Sequence, residues 1–122
     1  MRIRLLTLLL LVLTLPAAAL AQTKGPNGGI VVIADEHPIE FVNRGQDIVF
    51  YLAGHDGRPL STKGMQARAI IQAGGQTTTV ALIPQEPNLL IGKLAAPLSG
   101  EARIVFSTRF AGHALQARFA LK

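Results

Sequence analysis

Three histidines and the acidic residues beside them are the side chains that could do chemistry in this chain. His37 follows Asp35 and Glu36, so one turn carries an imidazole and two carboxylates. His55 lies next to Asp56 in a second turn. Imidazole nitrogens and carboxylate oxygens are ligands for copper and zinc. If both turns lie at the same end of the fold, they predict a transition-metal site with the candidate ligands His37, His55, Asp35, Glu36 and Asp56.

Each of these residues also has a purely structural interpretation. His37 and His55 are equally typical of solvent-exposed turns. His113 has the parity of Leu115 and Phe119 in a strand, which favours a partly buried, hydrogen-bonded histidine. Met65 is the only methionine after Met1, and it is either a soft ligand for Cu(I) or Ag(I) or a core residue.

No catalytic motif accompanies these residues. Ser61, Ser99 or Ser107 could be combined with His55 and Asp56 into a nominal triad, but adjacent residues on one turn rarely point at a common atom. The chain also lacks a Gly-x-Ser-x-Gly nucleophile elbow. We therefore expect a protein that is not an enzyme.

The elements that position the candidate ligands are predicted to be strands. Short β-branched or alternating runs are separated by Gly, Pro and Asp turns, and no apolar helical period persists. This pattern predicts an all-β fold, either a sandwich of Ig-like or Greek-key type or a small barrel, with about seven or eight antiparallel strands. The predicted strands are 29–34, 39–43, 47–53, 66–72, 77–83, 89–94, 102–110 and 113–121.

The first 21 residues resemble an export signal. Arg2 and Arg4 precede an apolar run from Leu5 to Leu15, and Ala19-Leu20-Ala21 is a signal-peptidase pattern. We expect cleavage before Gln22 and a single domain over residues 22–122, exported to the periplasm without a membrane span. The chain has no cysteine, so neither a disulfide nor a lipid-modified cysteine is available.

The charge of the chain argues against nucleic acid as a partner. The formal net charge is +5, to which Arg2 and Arg4 contribute. The remaining basic residues are scattered along the sequence, whereas nucleic-acid binding needs clustered Lys and Arg, usually with stacking aromatics.

Several segments resemble a known family of small exported β proteins. These segments are Lys24–Gly29, His37–Val42, Phe50–Leu52 with His55–Pro59, Thr62–Gly64, and Val80–Pro84 with Asn88-Leu89. They are similar to the accessory domains of periplasmic adaptor subunits in heavy-metal efflux systems. The resemblance implies a role in resistance to copper, silver or zinc, a periplasmic efflux component as partner, and His37 with Glu40 beside it as the matching ligand position.

Two functions follow from the sequence. One is a non-enzymatic exported protein that binds copper, silver or zinc or assists a metal-efflux assembly. The alternative is a metal-independent protein–protein interaction module of the cell envelope, which uses an exposed strand edge or apolar patch.

Overall fold

The computed structural model describes residues 22–122, which form nine β-strands. The predicted signal peptide, residues 1–21, lies outside the described residues. Residues 22–122 contain no helix, and so no helix long and apolar enough to cross a membrane. The strands are β1 (Thr23–Lys24), β2 (Ile30–Ala34), β3 (His37–Arg44), β4 (Asp47–Leu52), β5 (Ala67–Ala73), β6 (Gln76–Gln85), β7 (Leu89–Lys93), β8 (Ala102–Phe110) and β9 (His113–Leu121).

All nine strands pair antiparallel in one sheet. The order across the sheet is β1-β2-β3-β4-β7-β6-β5-β8-β9. The sheet curls into a half-barrel, which brings β2 near β9. The all-β prediction is confirmed, and the strand number exceeds the predicted seven or eight because of the short β1, whose two residues are too few for a periodic signal.

A cluster of four phenylalanines fills the inside of the curl. Phe41, Phe50, Phe106 and Phe119 are almost completely buried, and the ring centroids of four neighbouring pairs among them lie 4.8 to 5.8 Å apart. They come from β3, β4, β8 and β9, so the cluster joins strands from both halves of the sheet. Each buried ring contributes roughly 1.5 to 3 kcal/mol to stability, and this core compensates for the absence of disulfides.

The sheet changes partners along β6. Its first part pairs with β5 from Gln76 to Leu82, and its last part pairs with β7 from Ile83 to Gln85. Gly92 of β7 allows close packing next to this change, because a Cβ there would lie 2.7 Å from Val80 Cγ1 and 2.8 Å from Leu82 Cδ2. The two halves of the sheet therefore meet along a tightly packed line.

Candidate functional site

His37 is the buried member of the candidate site. It begins β3 and has the same parity as Ile39 and Phe41, so its ring lies on the core side of the sheet, and only 5% of the residue is exposed. The Nδ1 atom lies 3.2 Å from the carbonyl oxygen of Ala53. Since a carbonyl only accepts hydrogen bonds, Nδ1 is the donor in this contact, and in the neutral ring the lone pair is on Nε2.

The turn before His37 is strained. Ala34 pairs with His37, so Asp35 and Glu36 form a two-residue hairpin loop, and their φ angles are +49° and +65°. Two positive φ angles are the signature of a type I′ turn, for which Asn-Gly or Asp-Gly is the usual sequence. A glutamate in the left-handed region costs of the order of 1 kcal/mol or more. The hairpin thus holds the Glu36 carboxylate in a conformation that a glycine would adopt more easily.

His55 lies on the loop that follows β4. An isolated bridge between Ala53 and Pro59 closes this loop. Inside it, Gly54 N donates to Arg58 O at 2.8 Å, and Arg58 N donates to the Asp56 carboxylate at 3.0 Å. The backbone around His55 is therefore held on both sides, although the histidine side chain is 61% exposed.

The structure brings His37, His55 and Glu36 together. The two imidazole centroids lie 4.4 Å apart with the rings inclined by 53°. His55 Nδ1 lies 3.0 Å from Glu36 Oε2, so the carboxylate is next to the second ring. Histidine ligands of metals usually donate the N–H of their other nitrogen to a carbonyl or carboxylate. His37 has this arrangement, and His55 has a carboxylate oxygen near its Nδ1, so Nε2 is the remaining nitrogen of each ring.

Asp35 and Asp56 are exposed residues of the two turns. The Asp56 carboxylate accepts the hydrogen bond from Arg58 N and lies 3.7 Å from Arg58 Nε. Within residues 22–122, no group of three or more His, Cys, Asp or Glu side chains is arranged to hold a metal ion. The core of the site is therefore a histidine pair with one adjacent carboxylate, that of Glu36.

Glu40 lies away from the histidine pair. It is three residues after His37 in β3, so its side chain extends from the opposite face of the sheet. Its buried carboxylate accepts hydrogen bonds from Asn27 N, Asn27 Nδ2 and Gly29 N at 2.8 to 3.2 Å. A Cβ at Gly29 would collide with the carbonyl oxygen of Phe41. Glu40 therefore anchors the glycine-rich turn that leads into β2.

Phe110 is the residue of this site that the sequence analysis missed. Its ring packs edge-on against His37 with centroids 5.3 Å apart. Phe110 is the last residue of β8 and is far from His37 in sequence. No local sequence pattern shows that the end of β8 contacts the start of β3.

His113 and Met65 also have clear positions. His113 pairs with Phe110 at the tip of the last hairpin and is exposed, so the prediction of a partly buried residue is wrong. The alternation of β9 places it on the core side, but the core ends before the tip. Met65 packs against the core, in agreement with its structural interpretation.

A scan against protein-family models and searches of curated proteins and of solved structures found no match to this chain.

Proposed function

We propose that this protein is a non-enzymatic exported protein of the periplasm that binds a divalent transition metal, Cu(II) or Zn(II), through Nε2 of His37 and of His55. The observation that carries the proposal is the pair of rings 4.4 Å apart, each with its Nδ1 facing an oxygen acceptor. Neutral, oriented imidazoles are what these ions require. In this proposal Glu36 orients His55, and water or a partner's side chain completes the coordination.

The spacing of the rings favours divalent ions over Ag(I) or Cu(I). Metal–nitrogen bonds are about 2.0 Å long, so a linear ion between two imidazoles would hold the ring centroids about 6 Å apart. A bent arrangement, in which two ligands occupy neighbouring positions of a tetrahedral or square site, brings the centroids to about 4.5–5 Å. The observed separation of 4.4 Å lies near the bent geometry.

The role in the cell follows from the sequence resemblance. An accessory protein of metal efflux needs to take up an ion and to release it again. A site with only two protein ligands, one of them 61% exposed, is suited to exchange rather than to permanent storage. We therefore propose that the ion is cargo and that a periplasmic efflux component is the acceptor.

Calorimetric titration of the exported protein with Zn(II), Cu(II) and Ag(I) tests the metal proposal. We expect Zn(II) or Cu(II) to bind with a dissociation constant below about 100 μM and Ag(I) to bind more weakly. His55→Gln should weaken binding at least about tenfold. The matched control is His113→Gln, which removes an exposed histidine outside the pair and should leave the affinity unchanged.

Two results would overturn the proposal. One is the failure of both divalent ions to bind in this range. The other is an equal loss of affinity in His55→Gln and His113→Gln, which would show that binding depends on histidine content and not on the pair.

The closure of the half-barrel is part of the same proposal. We propose that the half-barrel is a small barrel whose last seam, between β9 and the opposite edge of the sheet formed by β1 and β2, is closed by side chains instead of by strand pairing. The support for this is a double hydrogen bond across the seam, in which Gln22 Nε2 donates to Ala120 O at 3.2 Å and Ala120 N donates to Gln22 Oε1 at 2.7 Å.

The metal-independent interaction module remains a second proposal. The observation that favours it is the outer face of β5, β8 and β9, which carries unpaired positive charge.

A further inference from the structure

The outer face of β5, β8 and β9 carries four arginines. Alternation along each strand turns one set of residues to the core, including Ala69, Phe106 and Ala117, and the other set outward. The outward set contains the four exposed arginines Arg68, Arg103, Arg109 and Arg118. None of the four forms an ion pair within residues 22–122.

No acidic residue lies within the strands of this face. β5, β8 and β9 contain no Asp or Glu, and neither does β6 beside them. The nearest carboxylate in sequence is Glu101, just before β8, where it borders the same hollow as Arg103 and Lys122. The strands of this face therefore carry positive side chains and no negative ones, which gives the face a positive potential.

The register of the strands arranges the arginines as two diagonal pairs. Arg68 pairs with Ser107, so Arg109 is its diagonal neighbour. Arg118 pairs with Val105, so Arg103 is its diagonal neighbour. Diagonal neighbours in an antiparallel sheet lie about 7–8 Å apart. Arg103 and Arg109 are both in β8, and at about 3.3 Å per residue they are separated by about 20 Å.

Half-buried aliphatic side chains lie between the two arginine pairs. Ile70 and Val105 face each other across β5 and β8 and are partly exposed. An apolar centre between charged ends is typical of protein–protein interfaces, in which arginine is enriched and often supplies much of the binding energy.

Lys63 adds a fifth cation at one end of the face. It lines an open hollow together with Arg68, Ser107 and Arg109, and no Asp or Glu of the described residues lines this hollow. The end of the face where β8 reaches the histidine pair through Phe110 therefore carries three cations, Lys63, Arg68 and Arg109.

We propose that this surface, which we call the arginine face, binds an extended acidic segment of a partner protein that lies along β8. Charge complementarity identifies the occupant as acidic, and guanidinium groups bind carboxylates through two parallel hydrogen bonds. The two arginine pairs lie about 20 Å apart along one strand, with Ile70 and Val105 between them, so an extended peptide along β8 reaches both pairs and covers this apolar centre. This inference is independent of the metal proposal, because it involves none of the histidines.

Binding of a labelled polyglutamate peptide of about ten residues, long enough to span both arginine pairs, tests the proposal. We expect the exported protein to bind it at low salt with a dissociation constant below about 1 mM, and the affinity to fall as NaCl is added. Replacing Arg68, Arg103, Arg109 and Arg118 by Gln should weaken binding at least about tenfold.

A charge-matched control separates this face from net charge. In the control, Lys24, Arg44, Arg58 and Lys93 are replaced by Gln, which removes the same charge from exposed positions outside the face. We expect the control to retain an affinity within about twofold of the parent protein. Circular dichroism of both variants establishes that they are folded.

Several outcomes would overturn the proposal. They are an equal loss of affinity in the two variants, no peptide binding at low salt, or preferential binding of vesicles with about one-third phosphatidylglycerol or of single-stranded RNA over the peptide. The last two outcomes would assign the face to a membrane or to a nucleic acid. The metal titration is unaffected by any of them, so the two proposals fail independently.

Discussion

Two residues of β3, His37 and Glu40, have opposite roles although both can bind metal ions in principle. His37 turns one nitrogen to a carbonyl and keeps the other free. Glu40 uses both carboxylate oxygens to accept hydrogen bonds from Asn27 and Gly29. A carboxylate whose oxygens are already occupied by N–H donors is a poor ligand, because an ion would have to displace those donors. The candidate metal site is therefore defined by the side-chain lone pairs that do not already accept hydrogen bonds.

Replacing Glu40 separates structure from metal binding. In Glu40→Gln an amide NH₂ group faces backbone N–H donors, so we expect the free energy of unfolding to fall by about 2 kcal/mol. Urea denaturation measures this loss. Zinc affinity should stay within about twofold of the parent value.

Glu101→Gln is the matched control for this substitution. Glu101 is exposed, so stability should change by no more than about 0.5 kcal/mol. Loss of zinc affinity in Glu40→Gln without loss of stability would contradict this assignment and return Glu40 to the ligand set.

Two turns between strands set the geometry of the candidate site. The hairpin from Ala34 to His37 and the loop from Ala53 to Pro59 bring Glu36 and His55 together. The hairpin does so with two non-glycine residues at positive φ, and such strain is often retained where a side chain has a function. The position of Glu36 is consistent with that relation, because its carboxylate lies 3.0 Å from His55 Nδ1.

Glu36→Gly tests whether the Glu36 side chain lowers the free energy of unfolding while its carboxylate supports metal binding. Glycine adopts positive φ without steric cost, so we expect the free energy of unfolding to rise by up to about 1 kcal/mol. At the same time zinc affinity should fall about tenfold, since His55 loses its orienting partner. Thermal unfolding and calorimetry give the two readouts.

Glu101→Gly is the control for the effect of glycine itself. The φ angle of Glu101 is not positive, so this substitution should not raise stability. An increase in both stability and zinc affinity in Glu36→Gly would show that the carboxylate has no role at the site.

The strands were predictable from the sequence because their signals are local. Alternation between core and solvent in 102–110 and 113–121 reproduces the observed bounds of β8 and β9, and the Asp, Gly and Pro turns separate the remaining strands. The contact between His37 and His55 depends instead on how the loop after β4 folds back over β3. Contacts of this kind are set by tertiary packing, so the sequence indicated the ligand types but not their meeting.

The charge of the arginine face escaped the sequence analysis for a similar reason. Its arginines are scattered along the chain, and a count by sequence position shows no cluster. Only the register of β5, β8 and β9 shows that they share one face.

At the scale of the whole molecule, the histidine pair and the arginine face adjoin each other. Phe110 packs against His37 and also lines the hollow of Lys63, Arg68 and Arg109. A partner segment bound along β8 would therefore have one end beside the histidines. In the efflux role proposed above, this position would let an acidic partner supply the ligands that the histidine pair lacks.

The seam between the two edges of the sheet can be tested by a single substitution. Gln22→Ala removes both hydrogen bonds to Ala120, so the Ala120 amide should exchange with deuterium about tenfold faster, and stability should fall by about 1 kcal/mol. Hydrogen exchange followed by NMR measures the rate. The control Gln46→Ala removes a bond to the Ala95 carbonyl and should not change exchange at Ala120. Unchanged protection in Gln22→Ala would show that the seam is open in solution.

The bond between Gln22 and Ala120 also means that residues 22 and 122 lie close together in space. A short glycine-serine linker could therefore join them, with new chain ends at the exposed turn of Gly74 and Gly75, where β5 meets β6. Such a circular permutant would keep every strand pair of the sheet. The order in which the strands are synthesised is then separable from the architecture that they form.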